Sequence, residues 1–169
     1  MKLGAKGVVG IVAGTIAIVC FFMMFMSPII RLVNYGDITH LNFHEVYFEH
    51  YDEAYNARVG GAGIPFLAFM LVLFSGIVMI LVSIFYSKYS NTIIMAACTV
   101  FFVCAILFFC TRMFFAMEIF TAVNNADAGT FYANHGINAG PIIAGLLALT
   151  ASIVGVVARG IKKKEPDNQ

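Results

Sequence analysis

ITHLNFHEVYFEHYDEAYNAR, residues Ile38 to Arg58, is the one long polar stretch in a chain that otherwise reads as membrane, and the rest can be arranged around it. Wound at about 100° per residue, it sets Leu41, His44, Tyr47, Phe48, Tyr51, Ala54 and Tyr55 on one arc. Asn42, Glu45, Glu49, Asp52 and Glu53 fall on the opposite arc. A period of two fails, because Val46-Tyr47-Phe48 and Asp52-Glu53 run like residues together. The pattern predicts an amphipathic helix with an aromatic floor and an acidic outer face. Ile38 and Val46 are its two misfits.

Composition fixes the class of the remainder. Of 169 residues, 61% are hydrophobic and 11% charged, a balance that would leave a soluble domain of this size with large exposed apolar patches. The reading is an all-α membrane protein, one domain of four transmembrane helices with the amphipathic helix lying outside between spans 1 and 2. The spans fall at about 7–30, 66–86, 92–120 and 141–158, with outer loops at about 31–64 and 121–140 and a polar, disordered tail at 161–169. At about 1.5 Å per residue, the first run is long enough to cross a hydrocarbon core of about 30 Å. Bulky residues after Cys20, from Phe21 to Met26, argue for a retained first span and against a cleaved signal peptide. Pro28 loosens the end of that span, and Pro65 suits the first turn of the next. The turn Ser87 to Asn91 is short enough to make spans 2 and 3 antiparallel neighbours. The second outer loop, Ala122 to Asn138, reads as irregular.

Charge placement gives an orientation. With the N-terminus inside, Lys2, Lys6, Lys88, Arg159, Lys162, Lys163 and Lys164 are cytoplasmic, seven of the ten Lys and Arg residues, leaving Arg31, Arg58 and Arg112 outside. Both termini are then cytoplasmic, in the cytoplasmic (plasma) membrane, and both long loops are external. A net charge of +1 gives no reason to expect nucleic acid. All four cysteines, Cys20, Cys98, Cys104 and Cys110, lie in apolar runs and read as small buried hydrophobes rather than disulfide or zinc residues.

Several groups carry potential chemistry. His40 and His44 stand four apart on the expected helix, with Glu45 beside them, a spacing at which neutral imidazoles would bite one cation. The plainer account is interfacial histidines facing an aromatic floor. Glu45, Glu49, Asp52 and Glu53, with Phe48, Tyr51 and Tyr55 beneath, form the expected interaction surface; a solvated helix face is its bland counterpart. Arg31, Arg112 and Glu118 are interfacial charges that either snorkel to headgroups or, for the arginines, clamp the acidic helix onto the bundle. No span carries a charge at its midpoint, which argues against a proton relay or ion-coupled transport. No HExxH or phosphate-binding loop occurs, and no cofactor is expected.

Small residues mark expected helix contacts. Gly140, Ala144, Ala148 and Ser152 recur every four residues, and Gly10 and Gly14 make a GxxxG spacing. The two faces would meet each other and close the bundle, or meet another copy. Laying Pro65 on Pro141 also matches Leu71 with Leu147, Ile77 with Ile153 and Lys88 with Lys164, the mark either of duplicated hairpins or of convergent helix-start chemistry.

In outline, the four-span plan with a larger first outer loop resembles claudins and other tetraspan proteins. The claudin signature of a Trp and paired cysteines in that loop is missing, so junction or pore function does not carry over. Across its whole length, the chain is similar in texture to small bacterial four-span membrane proteins with Gly/Ala/Ile/Val-rich helices and Lys-rich ends, a resemblance that implies no activity. The expectation is a non-enzymatic accessory or interaction protein whose outer cap meets membrane lipid, a membrane-protein partner or a second copy. A small cation or solute transporter or channel, oligomeric or not, is the alternative.

Overall fold

The computed structural model describes residues 4–34, 37–48, 50–52, 57–59, 63–85, 89–114 and 135–161. In chain order its elements are α1 (Ala5–Met26), β1 (Ile30–Asn34), β2 (Asp37–Leu41), α2 (Phe43–Tyr47), β3 (His50–Asp52), β4 (Ala57–Val59), α3 (Gly63–Ile84), α4 (Ser90–Phe109), β5 (His135–Ile137) and α5 (Ala139–Gly160). The chain is an all-α, four-helix membrane bundle bearing a small cap at one end. Helices α1, α3, α4 and α5, of 22, 22, 20 and 22 residues, are each long and apolar enough to cross a membrane.

Each long helix buries residues at steps of three and four, the spacing that keeps one face inward. On α1 these are Gly10, Ala13, Gly14, Ala17, Cys20 and Met24; on α4, Ile94, Ala97, Cys98, Phe101, Cys104, Ala105 and Phe108 are among them. The four helices form a ring in which α1 packs on α3 and α5, and α4 packs on the same two. Side-chain size is divided across it. Helix α5 contributes only Gly, Ala, Ser and Pro to the interior, while Phe69 and Met79 of α3 and Phe101 and Phe108 of α4 supply the bulk. Lipid offers little hydrophobic drive between helices, so this matching of small to large, with its dispersion contacts, is what holds the ring.

The small-residue faces are used differently from expectation. Gly10 and Gly14 meet α3, not α5: a Cβ on Gly14 would lie 2.7 Å from the Gly76 carbonyl oxygen and 2.6 Å from Ile80, and Gly10 faces Ser83. The stripe on α5 is shared by α1 and α4. Cys20 Sγ donates to the Ala144 carbonyl at 3.1 Å, and Ser152 Oγ donates to the Cys98 carbonyl at 2.9 Å. Ala148 is fully buried between these two contacts, and Gly140 packs on Ser27 and Pro28 at the cap end.

Span boundaries follow local chemistry. Helix α1 stops at Met26 because Pro28 restricts Ser27, which is extended at φ −101° and ψ 147°. Ile29 and Ile30, expected inside the first span, therefore leave the helix, and both remain fully buried as the chain enters β1. Pro65 lies in the first turn of α3 and Pro141 in that of α5, where a missing N–H costs nothing. In the expected third span α4 closes at Phe109, Cys110 is a turn and residues 111–114 are again helical, while residues 115–120 lie outside the described residues. Arg112, half-buried, belongs to that short continuation. Glu118 and the tail from 162 lie outside the described residues.

The amphipathic helix expected over Ile38 to Arg58 is not formed as one element, since strands interrupt it; among the described residues of that stretch only Phe43–Tyr47 is helical. β1 pairs antiparallel with β2, from Ile30 opposite Leu41 to Asn34 opposite Asp37. It also pairs with β5, Ile30 opposite Ile137, giving the order β2-β1-β5. A separate two-stranded ribbon sets His50 opposite Val59 and Asp52 opposite Ala57. The second loop is thus not irregular up to Asn138, since His135–Ile137 is the third strand of the sheet. The physical reason is side-chain shape: the runs Arg31-Leu32-Val33-Asn34 and Asp37-Ile38-Thr39-His40 carry β-branched Val33, Ile38 and Thr39, which suit a pleated strand better than a helix.

Candidate interaction surface at the cap

The sheet carries one face inward and one outward because its residues alternate. Ile30 of β1 and Leu41 of β2 stand opposite each other and are buried, while Arg31 and His40, the next rung, are exposed. Strand and helix then join through backbone groups. The Ile29 N–H donates to the Leu41 carbonyl at 2.8 Å, and the Ile29 carbonyl accepts from the Asn138 N–H at 2.9 Å.

That junction also starts α5. The first N–H groups of a helix have no partner inside it. Here Asn138 Oδ1 accepts from the Ala139 N–H at 2.9 Å, the Pro28 carbonyl accepts from the Gly140 N–H at 3.2 Å, and Pro141 has no N–H to satisfy. Gly140 is required at this point, since a Cβ would stand 2.8 Å from that same Pro28 oxygen. Asn138 Nδ2 lies 2.8 Å from His40 Nδ1, so one side chain ties the sheet to the helix.

Helix α2 is a single turn with its own cap. Glu45 Oε2 accepts from the Asn42 N–H at 2.6 Å, the return bond of a capping box. Phe43, Val46 and Tyr47 point inward, and Phe48, extended at φ −112° and ψ 134°, ends the turn. The inward residues meet aromatic rings from the cap ends of α1 and α3. Phe43 lies 5.1 Å from Phe25, 4.7 Å from Tyr47 and 4.6 Å from Phe69, centroid to centroid, and Phe21 stacks on Phe69 at 4.1 Å.

The expected site residues are distributed accordingly. His40 is on a strand and His44 on α2, both exposed, so the shared helix face that would have let them bite one cation does not exist. Glu45, the third expected ligand, is engaged as a cap, and among the described residues no group of three or more His, Cys, Asp or Glu could hold a metal ion. Of the expected surface, Phe48 is 54% exposed and Glu45 is half-buried. Glu49 and the side chains of Tyr51 and Asp52 lie outside the described residues, as do Glu53 and Tyr55. Val46, a misfit of the helical wheel, is fully buried, and Phe43, which the wheel left off the floor, is the ring at its centre. Among the described residues, no ion pair joins Arg31 to an acid. The sheet faces it outward, and the long acidic helix it would have clamped does not exist.

Tyr47 is the one polar side chain sunk into this cluster. It is 5% exposed, and its hydroxyl has no hydrogen-bond partner among the described residues. Burial holds its phenol above the ordinary tyrosine range. Because folding raises this value, stability does not depend on the phenol's ionisation below its unfolded value, about 10 for tyrosine, and falls as pH rises beyond it. Tyr47→Phe is therefore expected to stabilise the cap by about 1 kcal/mol at neutral pH, by removing an unmet hydroxyl. It should also flatten the loss of stability above about pH 10. Denaturation midpoints of both proteins at neutral and alkaline pH check this; an unchanged alkaline slope would assign the loss to another group.

No protein family, curated protein or solved structure matches the chain.

Proposed function

We propose that this protein is a non-enzymatic membrane accessory or interaction protein whose cap, outside the cytoplasmic membrane with both termini inside, engages a partner at the membrane surface, lipid headgroups or a membrane protein. The observation that carries the reading is the anchorage of the cap. Strands from both loops form one sheet, Asn138 ties it to α5, and the α2 rings root it in α1 and α3. A surface built on rigid elements can hold a binding geometry that a free loop cannot. Arg31, His40, His44 and the Phe48 ring are left exposed on it, a mixed polar and aromatic set of the kind enriched in interfaces.

The apolar character of the buried residues described supports this reading over transport. A conducting path needs polar groups along the axis, whereas the buried polar residues described are Ser83, Ser90, Thr111 and Ser152. Ser83 donates to a carbonyl of its own helix, Thr111 to the Leu107 carbonyl of α4, and Ser152 to the Cys98 carbonyl of α4. A groove between α3 and α4 is lined by exposed Phe74 and Val78, so it faces outward from the ring.

Purification from native membranes in mild detergent tests the proposal. The expected result is one stoichiometric protein or tightly held lipid, with retention reduced about tenfold by Phe48→Asp while the bundle stays folded. Isolation of a bare protein that passes cations or small solutes in sealed vesicles would replace this reading by the transporter.

A further inference from the structure

We propose that His40 and Asn138 form a proton-operated latch between the cap sheet and the start of α5, closed when the imidazole is neutral and released when it takes a second proton. Which atoms can donate fixes the contact. The Ala139 N–H is a donor, so the Asn138 side-chain atom 2.9 Å from it is the oxygen. The other end of the amide, Nδ2, is then also a donor, and it faces His40 Nδ1 at 2.8 Å. Nδ1 must accept, which fixes neutral His40 with its proton on Nε2. A second proton converts Nδ1 to a donor, and two donors then face each other. The amide cannot rescue the contact by turning over, because that would aim Nδ2 at the Ala139 N–H and forfeit the helix cap.

The surroundings reinforce this direction. His40 is exposed, so water and protons reach it, and its cross-strand neighbour on β1 is Arg31, a fixed positive charge on the same face. His135 of β5 stands opposite Leu32, one rung away from Arg31. His44 is exposed on α2, and Glu45 is committed to the Asn42 N–H. Among the described residues no carboxylate pairs with His40 to hold an imidazolium in place. The broken contact lies beside the Asn138 N–H bond to Ile29, where the second loop joins the sheet. Acid therefore acts at the seam between the two halves of the cap.

Hydrogen exchange of the Asn138 backbone amide, measured on the full chain in lipid nanodiscs and corrected for the intrinsic pH dependence of exchange, reads the latch. Acidification from about pH 8 to about pH 5 is expected to lower protection roughly two- to tenfold. His40→Gln, whose amide oxygen accepts at any pH, should keep protection high throughout. Asn138→Ser, which still caps α5 but has no amide to offer His40, should be low throughout. The nitrogen-15 shift of His40 Nδ1 in the wild type should be that of an unprotonated acceptor at the upper pH. The latch is overturned if wild-type protection does not respond to acid, if His40→Gln responds as the wild type does, or if Nδ1 carries the proton at the upper pH.

Discussion

Gly14→Leu is expected to abolish the folded bundle, while Gly145→Ala, at a site that looks equally crowded, is expected to cost less than about 1 kcal/mol. At Gly14 an added Cβ meets the Gly76 carbonyl oxygen at 2.7 Å and the Ile80 backbone nitrogen at 3.2 Å, in addition to the Ile80 side chain. Backbone on an α-helix gives way only if the helix moves. Gly76 returns the contact, its own added Cβ falling 3.1 Å from the Gly14 carbonyl oxygen and from the Ala17 Cβ, so neither helix has slack at the crossing. A leucine must part α1 from α3, at more than about 3 kcal/mol, with loss of the van der Waals contact that replaces hydrophobic drive in lipid. At Gly145 the obstacle is the ring of Phe109, 2.8 Å away at its tip, and that ring is 42% exposed on the outside of the bundle and free to swing toward lipid. Resistance to denaturation in detergent, with helicity followed by circular dichroism, separates the two. Equal losses in both variants would mean that the α1–α3 crossing is not special.

The same crossing shows how far the sequence could be read. Four apolar runs of bilayer length, closed by prolines and a short turn, locate the spans from composition alone, since any helix of that length and polarity must find lipid or a core. Partner choice is less accessible. Gly10 and Gly14 announce close approach, but Gly76 and Ser83, which receive it, stand seven apart in an apolar run and do not make the four-residue spacing that marks such a face. The cap was hidden for a different reason. A single period laid across the polar stretch misses it, because the chain changes period at Asn42, from a strand on one side to a helical turn on the other. Ile38 and Val46, the two misfits of the helical wheel, lie on either side of that residue. In the structure Ile38 is an exposed strand residue and Val46 a buried helical one, so the misfits marked the boundary. The pairing of β1 with β5 and the meeting of His40 with Asn138 join residues about a hundred positions apart, which local periodicity does not encode.

Phe43→Ala is expected to release α2 from the bundle without unfolding the four long helices. Five residues make one turn of helix, and a turn in isolation is unstable in water because nucleation fixes several residues for a single hydrogen bond. Its order must come from what it buries, and Phe43 is the common member of most ring contacts there, touching Phe25 of α1 and Phe66 and Phe69 of α3 as well as Tyr47 and Phe48. Truncating a buried phenylalanine costs about 3–5 kcal/mol, more than a capped single turn can supply from the Glu45 to Asn42 bond, worth about 1 kcal/mol. The ring of packed helices does not pass through Phe43, so the transmembrane helicity should persist. The measurement is exchange of the Val46 and Phe48 amides, which donate to the Asn42 and His44 carbonyls at 3.2 and 2.9 Å. Both should exchange about a hundredfold faster or more in the variant. Phe48→Ala is the control: its ring is 54% exposed and lies 6.3 Å from Phe43, so its loss should change those rates less than about fivefold. Unchanged protection in Phe43→Ala would mean that Leu41, Val46 and Tyr47 hold the turn without it, and that the Phe43 ring fills space beneath the cap without fastening it.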